Sequence, residues 1–296
     1  MLLRDILAQD DPQILATIAI IDQVAPDVLV LTDFDYDRDG FALAAFAAQL
    51  SDDYIARYAA KPNTGMATDL DLDGNGYLGD ARDAQGYGRF AGDGGMAILS
   101  RYPIGDVTDL SAMLWRDLPG ATLPPMSEEI ANIQRLSTAG HWIVPVLLPD
   151  GPLAVMAFSA TPPVFDGPED RNGLRNRDEL RLWTHVLDGG YGSAPESFVI
   201  AGNANFDPEA GDGLRAAMVD FLADPRLQDP LPGIKTANWP IAEGGPGALR
   251  VSYVLPAADL AVTDAGVVVP ASGDTLQGDD GSAAGPHRLV WVDVSR

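Results

Sequence analysis

The order of apolar patterns along the chain constrains its fold more than any other feature. Residues 11–25 place apolar side chains at helical spacing, and the short apolar run 28–31 that follows is typical of a buried strand. Polar residues 32–37 come directly after this strand, where α/β enzymes keep their chemistry. Helix and strand patterns alternate in the first half of the chain, and strands dominate the second half. This order predicts two packed sheets flanked by helices.

Further patterns predict the remaining elements. Strands are expected over 96–99, 141–148, 153–158, 198–201, 249–255 and 288–294, and helices over 40–50, 176–188 and 213–222. Residues 61–95 are rich in Gly, Asp and Asn and lack periodicity, which predicts a long loop. Neither a repeat nor a linker interrupts the pattern, so we expect one domain over residues 1–296.

The charge of the chain bears on its partners. Its 296 residues include 43 acidic and 19 basic side chains, which gives a net charge of −24. Proteins that bind nucleic acids present basic surface to the phosphates, so this charge disfavours an extended nucleic acid as a ligand. The simpler interpretation of the charge is solubility. The chain has no cysteine, which excludes disulfides, thiolate metal sites and a cysteine nucleophile.

The beginning of the chain and its apolar runs bear on location. Residues 1–11 contain a short apolar run that acids follow at once, unlike a signal peptide. No apolar stretch reaches the ~18 residues that a membrane span needs. We therefore expect a soluble protein with no membrane partner, cytoplasmic by default and secreted if the true start lies upstream of Met1.

Several segments in a fixed order resemble one known family. They are 27–31 with 34–37, 62–65, 69–76, 83–90, 95–103, 159–176, 202–208, 253–256 and 287–293. Together they resemble the endonuclease/exonuclease/phosphatase family, the deoxyribonuclease-I-like metal-dependent phosphoesterases, over almost the whole chain. The resemblance implies an α/β fold built as a four-layer α-β-β-α sandwich, and descent from a phosphoesterase.

The catalytic residues of that family are the part that this sequence lacks. Family members hold a metal ion with carboxylates and with an asparagine on the first strand, and they activate water with a His–Asp pair. Asp33 stands where the metal-binding glutamate is expected. Four further positions depart from the family: Ser159 replaces a histidine, and Asn203, Ser252 and Pro286 replace aspartates. The strand that carries the first asparagine is absent, so either the start is placed too late or an interior strand has been lost.

The resemblance nevertheless nominates a set of site residues. The candidate catalytic residues are His287, Asn205, Asn203, His141 and Ser159, and Asp33 is the candidate ligand of a weakly held Mg²⁺ or Mn²⁺. Two alternatives stay open. Asn205 either caps a turn or binds substrate, and His141 is either packed in the core or bound to phosphate. Strand-end positions predict that these groups, with Ser252 and without His141, converge at one end of the sheets.

The long loop carries a second candidate metal site. Asp71, Asp73 and Asn75 place oxygen donors at alternate positions, and Gly76 and an apolar residue follow, as in the first half of a calcium loop. The glutamate expected at position twelve is missing, because Arg82 stands there. A second frame runs from Asp69 to Asp80. Both a Ca²⁺ site in the 69–80 loop and a turn without metal fit this pattern.

Three hypotheses for function follow. The first is a phosphoesterase acting on a small phosphorylated molecule. The second is a member with activity lost or strongly reduced, serving as a non-catalytic binding or structural protein. The third is a site with relocated ligands, for which Asp35, Asp37, Asp166, Asp170 and Asp207 are available. The substitutions at five catalytic positions favour the second hypothesis, because losing one member of a catalytic unit typically costs several orders of magnitude in rate.

Overall fold

The computed structural model describes residues 2–270, 274, 276 and 283–295. Its α-helices are α1 (Leu2–Ala8), α2 (Pro12–Val24), α3 (Phe41–Ala47), α4 (Glu128–Ala131), α5 (Arg171–Leu187) and α6 (Arg215–Leu222). Its strands are β1 (Val28–Phe34), β2 (Ala56–Tyr58), β3 (Gly95–Ser100), β4 (Thr108–Asp109), β5 (Gly140–Leu148), β6 (Gly151–Ser159), β7 (Phe198–Asn203), β8 (Ala237–Trp239), β9 (Gly247–Leu249), β10 (Ser252–Pro256), β11 (Ala261–Val267) and β12 (Val290–Ser295).

Two sheets form the centre of the molecule. One has the strand order β1-β3-β2 and the other has the order β10-β7-β6-β5-β4. Within the larger sheet, β6 and β7 run parallel and the other neighbours are antiparallel. The strands β8 with β9 and β11 with β12 form two-stranded ladders.

Three apolar clusters show how the layers stack. Side chains of β3, β5 and β6, among them Ile98, Val144 and Val155, fill the space between the sheets. On the outer side of the small sheet, helices α1–α3 pack against β1 and β3. On the outer side of the large sheet, α5 and α6 contribute Trp183 and Phe221 to a cluster with β6, β7 and β10. The predicted four-layer α-β-β-α sandwich is confirmed.

Local sequence explains where the first elements begin and end. Asp11 caps α2, because its carboxylate accepts hydrogen bonds from the N–H groups of Gln13 and Ile14. Pro12 suits the first turn of the helix, and Ala25 ends it in the left-handed conformation with φ 54°. The strand β6 alternates between two clusters, with Met156 facing the helices and Val155 facing the other sheet.

The structure corrects several predicted boundaries. The strand expected over 249–255 is interrupted at Arg250, whose N–H donates to the Asp207 carboxylate and whose guanidinium pairs with Asp229. These side-chain partners replace sheet partners, which a pattern of apolar residues does not reveal. The helix expected from residue 176 begins at Arg171, because its first turns bury polar rather than apolar side chains.

The loop prediction for 61–95 is confirmed up to the start of β3. Residues 59–94 contain no helix or strand, and buried polar contacts hold them in place. The Asn63 side chain donates hydrogen bonds to the carbonyl oxygens of Ser111, at 2.7 Å, and Ser137, at 2.8 Å. Among the described residues, no helix is both long and apolar enough to cross a membrane.

Candidate functional site

Three of the predicted site residues stand side by side at one edge of the large sheet. Ser159 ends β6 and is the parallel register partner of Asn203, which ends β7. Ser252 begins the antiparallel β10 and is the register partner of Asn203 on its other side. The close approach of β6 and β7 requires a glycine at 202, since a Cβ there would lie 2.0 Å from the Phe158 carbonyl oxygen. Asn203 is therefore the centre of a row of three neutral side chains.

The two asparagines at this edge hold each other. The Asn203 side-chain oxygen accepts a hydrogen bond from the Asn205 N–H at 3.0 Å, and its Nδ2 donates to the Asn205 side-chain oxygen at 3.1 Å. Asn205 has a left-handed backbone, with φ 51°, and its Nδ2 donates to the carbonyl oxygen of Ala160 at 2.8 Å. These bonds favour the turn-forming interpretation of Asn205, because they occupy its side-chain groups.

His287 is connected to the same region by hydrogen bonds of Thr236. The hydroxyl oxygen of Thr236 accepts a hydrogen bond from the Ser252 N–H at 2.9 Å, and its carbonyl accepts one from the Arg288 N–H. The His287 backbone forms an isolated bridge with Ala237, and its ring packs edge-on against Trp239 at 5.1 Å between centroids. Burial lowers the pKa of His287, so the ring is neutral at neutral pH. Within the described residues, this ring forms no bond with a carboxylate.

Asp33 lies on the small sheet, at a bulge near the end of β1. The register between β1 and β3 shifts between Thr32 and Phe34, and Asp33 has the left-handed φ of 59°. A bulge re-aims the side chain that it carries, here toward Gly94. Desolvation, followed by repulsion from Asp35 and Asp93, raises the pKa of Asp33. The strand β1 packs on β6 and β7 of the other sheet. Convergence of Asp33 with His287 stays a prediction.

His141 occupies a different place, inside the large sheet. Its side chain is fully buried, between the rings of Phe158 and Trp183. Its Nδ1 lies 2.7 Å from the Ser137 hydroxyl, and its Nε2 lies 3.0 Å from the Glu179 carbonyl oxygen. Burial lowers the pKa of His141 to about 3. Both ring nitrogens have protein partners, which favours the packed interpretation over the phosphate ligand.

Most of the acids considered for a relocated site have structural roles. The Asp37 carboxylate accepts hydrogen bonds from the N–H groups at the start of α3, and Asp166 accepts one from the Asn172 N–H. Asp207 forms an ion pair with Lys235 and accepts the Arg250 N–H. Asp35 accepts the Gly94 N–H at 3.1 Å and stays close enough to raise the pKa of Asp33. The relocated-ligand hypothesis therefore loses most of its candidates.

The acidic loop forms a compact carboxylate cluster. Oxygen atoms of Asp71, Asp73 and Asp83 lie within 4.8 Å of one another. The Asp71 carboxylate accepts hydrogen bonds from the N–H groups of Gly74, Asn75 and Gly76, and the bond from Gly76 contributes most to lowering its pKa. The third member is Asp83 rather than the predicted Asn75. The sequence placed Asp83 beside the position of the missing glutamate, but spacing did not assign it as a ligand, because it reaches Asp73 only when the loop folds back over ten residues.

The Asn75 side chain is used within the loop instead. Its oxygen accepts the Tyr77 N–H at 2.7 Å, and its Nδ2 donates to the carboxylates of Asp73 and Asp80. Asp83 is buried, and its two oxygens accept N–H groups from Leu72 and from Gly79. Asp73 accepts the Asn75 N–H at 3.1 Å, so backbone donors orient all three carboxylates.

Helix α5 contributes residues that sequence reasoning missed. The Asn176 Nδ2 donates to the carbonyl oxygens of Thr161, at 2.6 Å, and Ala204, at 2.7 Å, and so ties the segment after Ser159 to the segment after Asn203. Glu179 accepts the N–H groups of Thr138 and Thr161. The sequence did contain an indication of these buried polar contacts, because polar residues recur at spacings of three and four along the inward-facing side of this helix.

Comparison with known proteins agrees with this geometry. Residues 5–283 match the model of the Endonuclease/Exonuclease/phosphatase family. The chain belongs to this family. No match was found among curated protein sequences.

Solved structures show the same fold at low sequence identity. An endonuclease/exonuclease/phosphatase from Beutenbergia cavernae is 20% identical, with TM-score 0.62, over 96% of this chain and 66% of that protein. Sphingomyelinase C from Streptomyces griseocarneus is 17% identical, with TM-score 0.51, over 96% of this chain and 88% of that one. The 3′ phosphatase NExo from Neisseria, bound to product DNA hairpin, is 17% identical, with TM-score 0.52, over 94% and 92%.

The family is usually metal-dependent, and the strand-end residues do not fit such a metal well. A hard divalent cation prefers several carboxylate oxygens. The row at the large sheet offers Ser159, Asn203 and Ser252, none of which carries charge. Asp33 is not a member of the acidic group found within 4.8 Å among the described residues. Of the donors expected from the family, Asp33 keeps a carboxylate, and those in the row at the large sheet are neutral.

Proposed function

We propose that this chain is a phosphoesterase by descent whose hydrolytic activity is lost or strongly reduced. The observation that carries the proposal is the neutral row formed by Ser159, Asn203 and Ser252 at the ends of three adjacent strands. Phosphoryl transfer needs positive charge to neutralise the developing negative charge, and that charge normally comes from a metal held by carboxylates. Neutral side chains hold such a metal weakly.

The proton-transfer half of the chemistry is weakened as well. His287 is the candidate general base, and its pKa is lowered by burial. Pro286 precedes it and supplies neither a carboxylate nor an N–H group. A base without an orienting partner has no fixed tautomer, so it activates water poorly. Weak metal binding and a poorly oriented base both affect the attack of water on the phosphate, so together they reduce the rate of hydrolysis.

The substrate of any remaining activity is proposed to be a small phosphorylated molecule. The net charge of −24 repels an extended nucleic acid at long range. The alternative is a non-catalytic binding or structural protein on the same fold. The buried contacts that fix Asn203 and Asn205 support this alternative, since they preserve the shape of the strand ends without acidic groups.

Hydrolysis assays test the proposal. Purified protein with Mg²⁺ or Mn²⁺ should show little turnover of phosphomonoesters, phosphodiesters or DNA. The single substitution Asn203→Asp should not restore turnover, because Ser159 still lacks the imidazole donor. Metal-dependent turnover that Asp33→Ala or His287→Ala abolishes would contradict the proposal. The matched control is Asp220→Ala, an exposed acid of α6 that should leave any activity unchanged.

The acidic loop supports a second proposal, a Ca²⁺-like ion held by Asp71, Asp73 and Asp83. The observation behind it is the clustering of three carboxylates that backbone N–H groups already orient. An ion bound to the native state stabilises it by about 2.7 kcal/mol at one hundred times its Kd. Thermal melting should therefore rise in calcium relative to a chelator. Asp73→Asn should abolish the rise, and equal melting of the unmodified chain in both conditions would refute the site.

A further inference from the structure

A cavity of about 1000 Å³ lies between helices α5 and α6, on the outer side of the large sheet. Leu180 and Phe221, which are both buried in the core, line it, and Leu214 and Ala217 add further apolar surface. Small-molecule sites in proteins are mostly apolar clefts of about 300–1,000 Å³ with a few polar groups. The volume and the apolar lining of this cavity therefore suit a small organic molecule.

Three arginines line the same cavity. Arg177 and Arg181 lie on one side of α5, one helical turn apart, and Arg215 begins α6. The whole chain has 19 basic residues against 43 acidic ones and a net charge of −24. Three arginines around one cavity are therefore a local concentration of positive charge on an acidic protein.

The carboxylates nearby do not neutralise all three guanidinium groups. Arg177 and Arg181 share one partner, the buried carboxylate of Asp178, at 2.7 and 3.3 Å. Arg215 donates a hydrogen bond to the Glu209 carbonyl oxygen at 3.1 Å, and within the described residues it forms no ion pair. Two guanidinium groups on a single carboxylate, and a third without one, leave this side of the cavity positively charged.

Two acidic residues also line the cavity, and they reduce this positive charge only in part. The Asp224 carboxylate pairs with Arg226 at 2.6 Å, and Arg226 also bonds to Asp188, directly after the end of α5. Asp220 is exposed in α6 and offsets one of the arginines. The positive charge that remains matches a ligand with one anionic group rather than a polyanion.

We propose that the cavity between α5 and α6 binds a small organic anion, whose apolar body carries one phosphate or carboxylate group. A guanidinium group presents paired N–H donors that match two oxygens of either group. The apolar body lies against Leu180, Leu214 and Phe221. The cavity shares no lining residue with the row of neutral side chains at the strand ends, so this inference does not depend on whether hydrolysis persists.

The experiment measures binding to the full chain by calorimetry, with hexylphosphonate and heptanoate as the two anionic probes. The phosphonate has no ester bond to hydrolyse, and a chelator removes metal ions from the buffer. Hexanol, which lacks the charge, and inorganic phosphate, which lacks the apolar body, test the two parts of the ligand separately. At least one anionic probe should bind saturably, and about tenfold more tightly than hexanol or inorganic phosphate. Binding of only one anion supports the site and identifies its anionic group.

Two variants locate the bound probe, and their melting temperatures report whether they fold. Arg215→Gln removes an exposed positive charge, and Ala216→Trp places a large side chain at an exposed lining position, so each should weaken binding about tenfold or more. Arg4→Gln, in α1 with a side chain 75% exposed, is the matched control and should bind as the unmodified chain does. Unchanged affinity of both cavity variants, equal binding of hexanol and the anions, or no saturable binding of either anion would each overturn the proposal.

Discussion

Polar side chains behind the large sheet and polar side chains at its strand ends are used in opposite ways. Behind the sheet, the Arg175 guanidinium is buried and donates to four carbonyl oxygens, those of Gln85, Arg135, Leu136 and Ser137. At the strand ends, Ser159, Asn203 and Ser252 are small and neutral. The first group is charged and has its hydrogen bonds satisfied, and the second carries no charge.

The difference follows from what each group does for the folded state. A buried ion with satisfied partners is costly to remove, because its partners are left without hydrogen bonds. A catalytic carboxylate at a strand end is costly to keep, because like charges repel when no metal is bound. Neutral side chains at the strand ends are therefore compatible with a stable fold, whereas loss of the buried ion is not. The same fold then persists with different chemistry.

The largest effect is expected from Arg175→Met. The substitution leaves buried carbonyl oxygens without donors and leaves Glu179 without its neighbouring charge, so the free energy of unfolding should fall by about 3–5 kcal/mol. Denaturant unfolding measures this. The control is Arg4→Met, whose side chain is 75% exposed beside Asp5 and which should cost about 0–1 kcal/mol. Similar losses in both variants would remove the contrast between buried and exposed arginines.

Asn176→Ala is expected to have the next largest effect. Its two buried hydrogen bonds to Thr161 and Ala204 are lost, which should cost about 2–3 kcal/mol. Asn172→Ala, in the first turn of α5, removes one bond to the carbonyl oxygen of Val164 and should cost about 1 kcal/mol or less. Chemical denaturation of both variants measures the two losses of stability. The positioning role of Asn176 fails if both variants lose the same stability.

His141 should make stability depend on pH. Burial lowers its pKa in the folded state from 6.5 to about 3, so below pH 6.5 the unfolded chain binds a proton that the folded chain does not. The contribution of His141 to the free energy of unfolding is therefore complete above pH 6.5. It is lost as the pH falls toward 3, by about 1.4 kcal/mol per pH unit. His141→Asn should flatten the curve in that range, although it lowers stability at pH 7. Parallel curves would contradict a buried neutral imidazole.

The smallest effect is expected from Ser159→Ala. Among the residues that the structure describes, the Ser159 side chain has no hydrogen-bond partner, so the free energy of unfolding should change by less than about 0.5 kcal/mol. Thermal or chemical unfolding of Ser159→Ala and Arg175→Met, measured in parallel, compares the strand ends with the residues behind the sheet. A loss above about 2 kcal/mol would show that the strand ends are structural, like the residues behind the sheet.

The apolar patterns predicted the fold because burial of apolar surface is read directly from residue type. The strands β5 and β6 and the helix α2 lie close to their expected ranges. Polar interactions were harder to predict, since their partners are distant in the chain. Arg171 and Arg175 begin a helix that the pattern placed later, and Asp83 joins Asp71 and Asp73 after the loop folds back. The strand β11 was not predicted, because none of its residues is fully buried.

The sequence by itself determined the layered α/β fold and the family resemblance, and it places neutral residues where that resemblance implies acids, because these depend on residue identity and order. Tertiary structure decided what the remaining polar groups do. It placed Asn203 between Ser159 and Ser252, buried His141 between two aromatic rings, and brought Asp83 to Asp71 and Asp73. These features depend on contacts between segments that are distant in the sequence, and such contacts form only when the chain folds.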